Sequence, residues 1–582
     1  MVNEEKRQVN QMSMTITFEL LPNEIFFQCF GYLHFSDVFY SFERLNSRFN
    51  QLIKNVHFHL DFQHVKKSVF DQISRKFLSN PYIKRQIFSL KLSNESDTCG
   101  QIKTFLNRFS LAEFPALQSL TLINIKQNEL VDIQSTFSSL WNLQSIYLRY
   151  AGEINSQWLN TLPKLNNVKI SLQQLYIDWS LIQGILPITH LTMSYSYSLR
   201  DFNRLFQIAP YLKSLRIENV YDDKTNVDGR TMSSLKKLVL RIHEISFDRL
   251  SIVLKQMPQL EIFTMHSSMN TELIDGNRWE RLISSSLVHL TQFRFLLQFP
   301  LRTSTDPSTT SAQISDKFQS FQNDFWHRNH RWFTAYESTQ CLGVIYTIPY
   351  FNHTYKLTKS TKRYSKDSLN QITNLILTDG ILPQTSPMYF SNVKTLTLLS
   401  SSRSAEDTRD IQSLQTMINF SNLSHLDLGM MSNPEISFIL LKIFPHAPHL
   451  SSLKIDIELL MSIIYGQLAK YFYQQIRSLH VTKFISQQQI TTKMIGDFSR
   501  VFIHIQQLLF PIQRSKHCKQ LVTQLTNLSN LTVQGSCFSP EENLLLKQIV
   551  NHFHPSSSFE FDQCDNDVSR PLLHIWIGKH IN

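Results

Sequence analysis

Histidine and cysteine are the residue types from which chemistry would have to be built in this chain, and their spacing argues against it. His327 and His330 lie three apart with His353 further on, and no carboxylate or cysteine accompanies them at metal-ligand spacing. His57 and His59 alternate at the end of an N-terminal helical stretch. The six cysteines, at 29, 99, 341, 518, 537 and 564, include no C-x-x-C pair. They fit neither a zinc ribbon nor a disulfide framework, and a reducing compartment suits them. No G-x-G-x-x-G, Walker A, G-x-S-x-G or H-E-x-x-H run occurs, and only 13 glycines are present. The expectation is a protein without catalytic residues, metal or cofactor, whose work is recognition.

Recognition needs a surface, and the surface needs a scaffold. The 582 residues are 42% hydrophobic, 18% charged and 12% aromatic, the balance of a folded chain with an extensive core. The net charge of +11 favours anionic partners in general. The basic residues nevertheless come as pairs such as Lys66-Lys67 and Lys236-Lys237, with no arm or stripe, so nucleic acid is not an expected partner. Residues 1–16 are polar, with no apolar stretch of a secretory signal, and no run long enough to span a bilayer follows. A cytoplasmic or nuclear protein without membrane contact is expected.

The scaffold announces itself as a repeat. The pattern apolar-x-x-apolar-x-apolar recurs as Leu117-Leu120-Leu122, Leu143-Ile146-Leu148, Leu165-Val168-Ile170, Ile188-Leu191-Met193, Leu212-Leu215-Ile217, Leu235-Leu238-Leu240, Leu260-Phe263-Met265 and Leu290-Phe293-Phe295. The starts are 22 to 30 residues apart. One register stays open, because Leu172-Leu175-Ile177 fits as well as the copy at Leu165. Pro115, Pro163, Pro210 and Pro258 each stand two residues before a copy, where proline stops a helix and feeds a strand. Period and pattern resemble leucine-rich repeats, in which each coil buries its strand face only against its neighbours. The turn position that this family fills with Asn or Cys holds Ile125, Val220, His243 and Ser268, so an irregular horseshoe is implied.

The pattern resumes after an interruption, from Ile372-Leu375-Leu377 to Leu528-Leu531-Val533, and closes on a helix at 541–552 and an apolar run at 572–577. Between the arrays, 300–312 is rich in Ser, Thr and Pro. Then 331–337 and 342–348 alternate like two strands of a hairpin. That hairpin is expected to project, either offering Trp326, Trp332 and Tyr336 as a specificity element or packing as a flap over the repeat edge. Side chains between the second and third apolar positions should share the concave face. There Lys169, Arg216 and Arg294, flanked by Arg149 and Arg241, would suit an acidic or phosphorylated protein substrate.

One stretch stands outside the repeat: 20–53, LLPNEIFFQCFGYLHFSDVFYSFERLNSRFNQLI. Pro22 and Glu24 suit the start of a helix, and Ile25, Phe26, Cys29, Phe30 and Leu33 follow at helical spacing. Ser36 and Asn46 or Ser47 can start two more helices. Leu21-Pro22-x-Glu24-Ile25, Phe30, Leu33, Asp37-Val38 and Leu45-Asn46-Ser47-Arg48-Phe49 together resemble the F-box, LPxEhhxxIFxYLxxxDLxxhxxVCxxW. Phe30 stands where the family often has Ile-Phe, and Phe49 where a Trp is common. The resemblance implies docking of a Skp-type adaptor, through Leu21, Pro22, Ile25, Phe30, Leu33 and Val38, and through it a cullin complex. The implied role is the substrate receptor of an SCF-type ubiquitin ligase; a repeat scaffold acting outside any ligase is the alternative.

The expected fold class is α/β, an N-terminal three-helix F-box followed by an irregular leucine-rich-repeat horseshoe with an inserted β-hairpin region. The expected layout is a tail at 1–16, the F-box at 17–60, a helical connector at 61–85 and a first array at 86–299. The insertion at 300–370 and a second array with C-terminal cap at 371–582 complete it.

Overall fold

The structure, a computed structural model, describes residues 18–33, 35–150, 158–161, 168–173, 177–224, 231–268, 270–301, 316–338, 342–357, 362–363, 369–378, 389–399, 411–430, 436–482, 490–512, 514–534, 547–548, 550–551, 557–562 and 572–578. Three short helices come first, α1 (Asn23–Tyr32), α2 (Phe35–Phe42) and α3 (Ser47–Asn55), and α4 (Lys67–Ser79) follows the first strand. Among the described residues the strands are β1 (Phe58–Asp61), β2 (Ile87–Ser93), β3 (Ser119–Ile125), β4 (Ser145–Tyr150), β5 (Val168–Gln173), β6 (Ile188–Ser198), β7 (Ser214–Tyr221), β8 (Lys237–His243), β9 (Ile262–Ser268), β10 (Gln292–Pro300), β11 (Thr334–Ser338) and β12 (Leu342–Thr347). They continue as β13 (Thr354–Leu357), β14 (Lys362–Arg363), β15 (Asn374–Thr378), β16 (Thr395–Leu399), β17 (His425–Leu428), β18 (Ser452–Asp456), β19 (Ser478–Thr482), β20 (Gln507–Pro511), β21 (Asn530–Gln534), β22 (Ser558–Asp562) and β23 (Leu572–Trp576).

They form two large, mostly parallel sheets. The first runs β1 to β10 in sequence order and then β12-β11-β14; the second runs β13, β15 to β21, β23, β22. Each unit follows from its side chains. In β3, Leu120, Leu122 and Ile125 turn inward. The chain then enters a helix whose Leu130 and Ile133 cover them. Later, Ser246 caps the helix Phe247–Lys255 by accepting from the Arg249 amide, and Leu250, Val253 and Leu254 face the sheet. Apolar residues of neighbouring strands thus stack in columns, Leu120–Ile146–Ile170–Leu191–Leu215–Leu238–Phe263–Phe293 being one.

That column corrects the open register. β5 aligns Ile170 and Leu172 with Ile146 and Leu148 on one side and Leu191 and Met193 on the other. Neither expected copy is used. Val168, Ile170 and Leu172 are all buried on one face, so a slip of two residues leaves the local pattern unchanged, and pairing with both neighbours fixes it.

The interruption is corrected as well. β11 and β12 form the expected hairpin, but β12 pairs antiparallel with β10, Leu296 opposite Tyr346, and so covers the edge of the first sheet. Trp326 is fully buried, Trp332 nearly so, and Tyr336 packs partly buried against the same core. Of the two expectations, the exposed aromatic specificity element is therefore overturned, and the flap packed over the edge is the arrangement found. A strand unforeseen in the insertion, β13, pairs in parallel with β15 and opens the second sheet. The hairpin turn at 339–341 and most of the helix expected at 541–552 lie outside the described residues.

Among the described residues the two sheets meet twice. At the hairpin, Leu296, Ala335 and Tyr346 of the first sheet belong to the core of the second. At the other end, Trp576 of β23 belongs to the core of the first. It lies 5.3 Å from Phe70 and donates to the Val65 carbonyl at 3.2 Å. The Cys99 thiol reaches the carbonyls of Ser558 and His574 at 3.5 Å. The array closes on itself by side-chain packing and these hydrogen bonds, and among the described residues no strand pairs across this seam.

Candidate docking and recognition surfaces

The first surface is the helical trio. Phe26 and Phe49 meet edge-on at 4.9 Å, and Phe30 and Phe42 at 5.0 Å, forming its interior. Phe35 joins that interior to Phe58 and Phe77, at 5.0 and 5.7 Å. Asn46 caps α3 by accepting from the Phe49 amide at 2.9 Å. Arg48 ties the segment before α1 to α3: it donates to Asn23 Oδ1 at 2.7 Å and to the carbonyls of Glu19 and Leu21. Its guanidinium also sits 5.3 Å over the Phe26 ring.

This packing sorts the six residues expected at an adaptor. Pro22, Ile25 and Leu33 are exposed, and Leu21 is partly buried against the core. Phe30 and Val38, at 2% and 0% exposure, are interior and cannot touch a partner in this conformation; they hold the helices together. The single apolar face read along α1 is in fact two, because Phe26 and Phe30 turn in while Ile25, Phe27 and Leu33 turn out. Sequence reasoning missed Leu20, Phe27, Tyr32 and Leu45, which extend the exposed apolar surface; Tyr32 is 92% exposed. Alternation of the residue types along α1 could not reveal which of two apolar faces the chain would cover.

The second surface is the face of the first sheet opposite the helices. Arg149 is spent within it: it pairs with Glu95 and donates to Asn124 Oδ1 at 3.0 Å. Arg216 pairs with Glu218 at 2.5 Å, and Arg241 lies 3.9 Å from the same carboxylate. Arg294 is exposed at the far end. Lys169 is exposed too, one row away from its expected place, because Ser171 occupies the position between Tyr147 and Thr192. In the second sheet the corresponding column holds Lys356, Ile376, Thr397, Asp427, Lys454 and His480, with Lys454 and Asp427 paired at 3.0 Å.

Three of the histidines weighed for metal binding have partners within the protein. His330 stacks on Trp332 at 4.2 Å, and burial lowers its pKa. His57 stacks on Phe88 at 3.8 Å, and His353 Nδ1 lies 3.0 Å from the Gln371 carbonyl. A cluster that the sequence did not suggest lies at the seam, where His64, Glu95 and Asp97 bring ligand atoms within 4.8 Å of one another. Protein groups occupy nearly all of it. Arg149 and Gln63 take the two oxygens of Glu95, and His64 and Gln507 share Asp97 Oδ2, leaving Asp97 Oδ1 as its buried atom without a partner. This is an internal ionic network first. No helix among the described residues is long and apolar enough to cross a membrane. No protein-family model matches the chain, and no curated protein sequence matches it.

Proposed function

We propose that this chain is the substrate-recognition subunit of an SCF-type cullin–RING ubiquitin ligase, with an F-box at its start and a closed leucine-rich-repeat array as its substrate-binding body. In this reading the chain is not an enzyme itself, and the chemistry belongs to its partners. The observation that carries it is the apolar surface of the trio: Ile25, Phe27 and Tyr32 of α1, with Leu20, Leu33 and Leu45 in the segments flanking the helices, stand exposed around an interior that is already filled. A helix that covers only Phe26 and Phe30 of its ten residues has a face left for another protein. The F-box resemblance assigns that face to a Skp-type adaptor. The test is co-purification of the full chain with such an adaptor. Ile25→Glu/Leu33→Glu changes exposed positions only, so it should lose the adaptor while keeping its melting temperature. Adaptor retained at wild-type level by this variant, or not bound by the wild type, would sink the reading.

One observation favours the alternative of a scaffold outside any ligase. Phe35 packs on Phe58 and Phe77, so the trio also covers the first unit of the array. The same pull-down separates the two.

A further inference from the structure

The exposed face of the first sheet gathers its cations over four strands. Pairing places Lys169 of β5, His190 of β6, Ser214 of β7 and Lys237 of β8 side by side in one row. The row two residues on holds Ser171, Thr192, Arg216 and Val239. With strands about 4.8 Å apart, Lys169 and Lys237 stand about 14 Å from each other, and the rows about 7 Å apart. Lys169, His190, Lys213, Arg216 and Lys237 are all exposed, with the hydroxyls of Ser171, Thr192 and Ser214 between them. Among the described residues no carboxylate pairs with Lys169, Lys213 or Lys237. Burial and then these three ammonium groups lower the pKa of His190, which places the imidazole in a positive field. Glu218 holds Arg216 on its Nε side, orienting the guanidinium.

We propose that this patch is a phosphate-binding subsite for a phosphoserine or phosphothreonine on a substrate segment lying across β5 to β8. This rests on reading the array as a substrate receptor. A phosphate monoester brings nearly two charges and three acceptor oxygens, enough for two ammonium groups, a guanidinium and a hydroxyl at once; a carboxylate has half the charge and one oxygen fewer. A nucleic-acid backbone would need the cations to continue as a track. Here they stop on both sides, at Ser145 and Tyr147 of β4 and at Ile262 of β9. Arg294, two strands beyond, and Arg241, held near Glu218, are outside the subsite.

The test uses the full chain and fluorescence polarisation of a degenerate peptide library with one fixed phosphoserine, the same library with serine, and a single-stranded DNA of matched length. The wild type should bind the phosphorylated library at least about tenfold more tightly than the serine one, and Lys169→Glu/Lys237→Glu should remove that preference. Lys356→Glu, on the second sheet, should leave it intact. Equal binding of the two libraries, a preference that survives the double variant, or tighter binding of the DNA would overturn the proposal. The adaptor pull-down on the same preparations keeps the two ideas apart. A patch-dependent phosphopeptide signal without adaptor binding would leave the subsite standing and remove the ligase, whereas adaptor binding without the signal would do the reverse.

Discussion

The two places where the sheets meet are built differently. At the hairpin the chain itself runs across, and a buried carboxylate does the joining. Glu337 of β11 accepts from the Tyr346 hydroxyl at 2.7 Å and from the Tyr355 hydroxyl of β13 at 2.8 Å. Tyr350 packs between those rings, and burial pushes its phenol pKa up, with the Glu337 charge adding to the rise. At the seam no peptide bond crosses. One tryptophan is inserted into the opposite core, with Lys67 4.9 Å over its ring, and beside it lies the polar network of His64, Asp97 and Gln507. The first junction is buried and continuous along the chain, whereas the second is partly exposed and held by side-chain packing and a few hydrogen bonds. If the array opens anywhere, it opens at the seam.

Removing the tryptophan tests this most severely. Trp576→Ala deletes a fully buried ring and should cost about 3–5 kcal/mol in urea unfolding. It should also expose the Cys99 thiol, now buried, to a thiol reagent. If Cys99 stays protected in the variant, the seam is not where closure depends on Trp576. Glu337→Ala should cost less, about 1–3 kcal/mol, since buried hydroxyls lose their acceptor. It should leave Cys99 protected, because the chain still ties that junction together; a reactive Cys99 would show that the two junctions are coupled.

The smallest effect separates them by pH. The hydrogen bond and charge of Asp97, with Glu95 nearby, raise the His64 pKa, against burial and Lys91, which lower it. A raised histidine adds stability in full below its unfolded value of about 6.5 and loses it as pH climbs through the folded value. Thermal midpoints should therefore fall from mildly acidic to alkaline pH by more in wild type than in His64→Gln. Parallel profiles would remove His64 from the seam's stability. The same residue adopts a left-handed φ of +60°, a conformation uncommon outside glycine and consistent with a position set by its partners.

Much of the fold was legible beforehand. The apolar-x-x-apolar-x-apolar copies placed nearly every parallel strand, because a strand buried on one face must alternate, and the prolines marked where helices end. The hairpin was legible for the same reason. Its destination was not: whether Trp326 and Trp332 face water or a core depends on which edge is open nearby, and that edge belongs to β10, distant in sequence from neither but paired only in space. In the candidate sites, the structure removes some residues from the roles expected of them. Phe30 and Val38 belong to an interior, and Arg149 is consumed by Glu95, a partner 54 residues away.

The sequence by itself determined the repeat, its strand faces and the three N-terminal helices, since these follow from local spacing and short-range capping. Tertiary structure alone decided the register of β5, the closing of the array through Trp576, and the set of cations left free. Each of those depends on groups brought together from distant units, Val65 and Trp576 being 511 residues apart, and no periodicity in one segment encodes its neighbour in space.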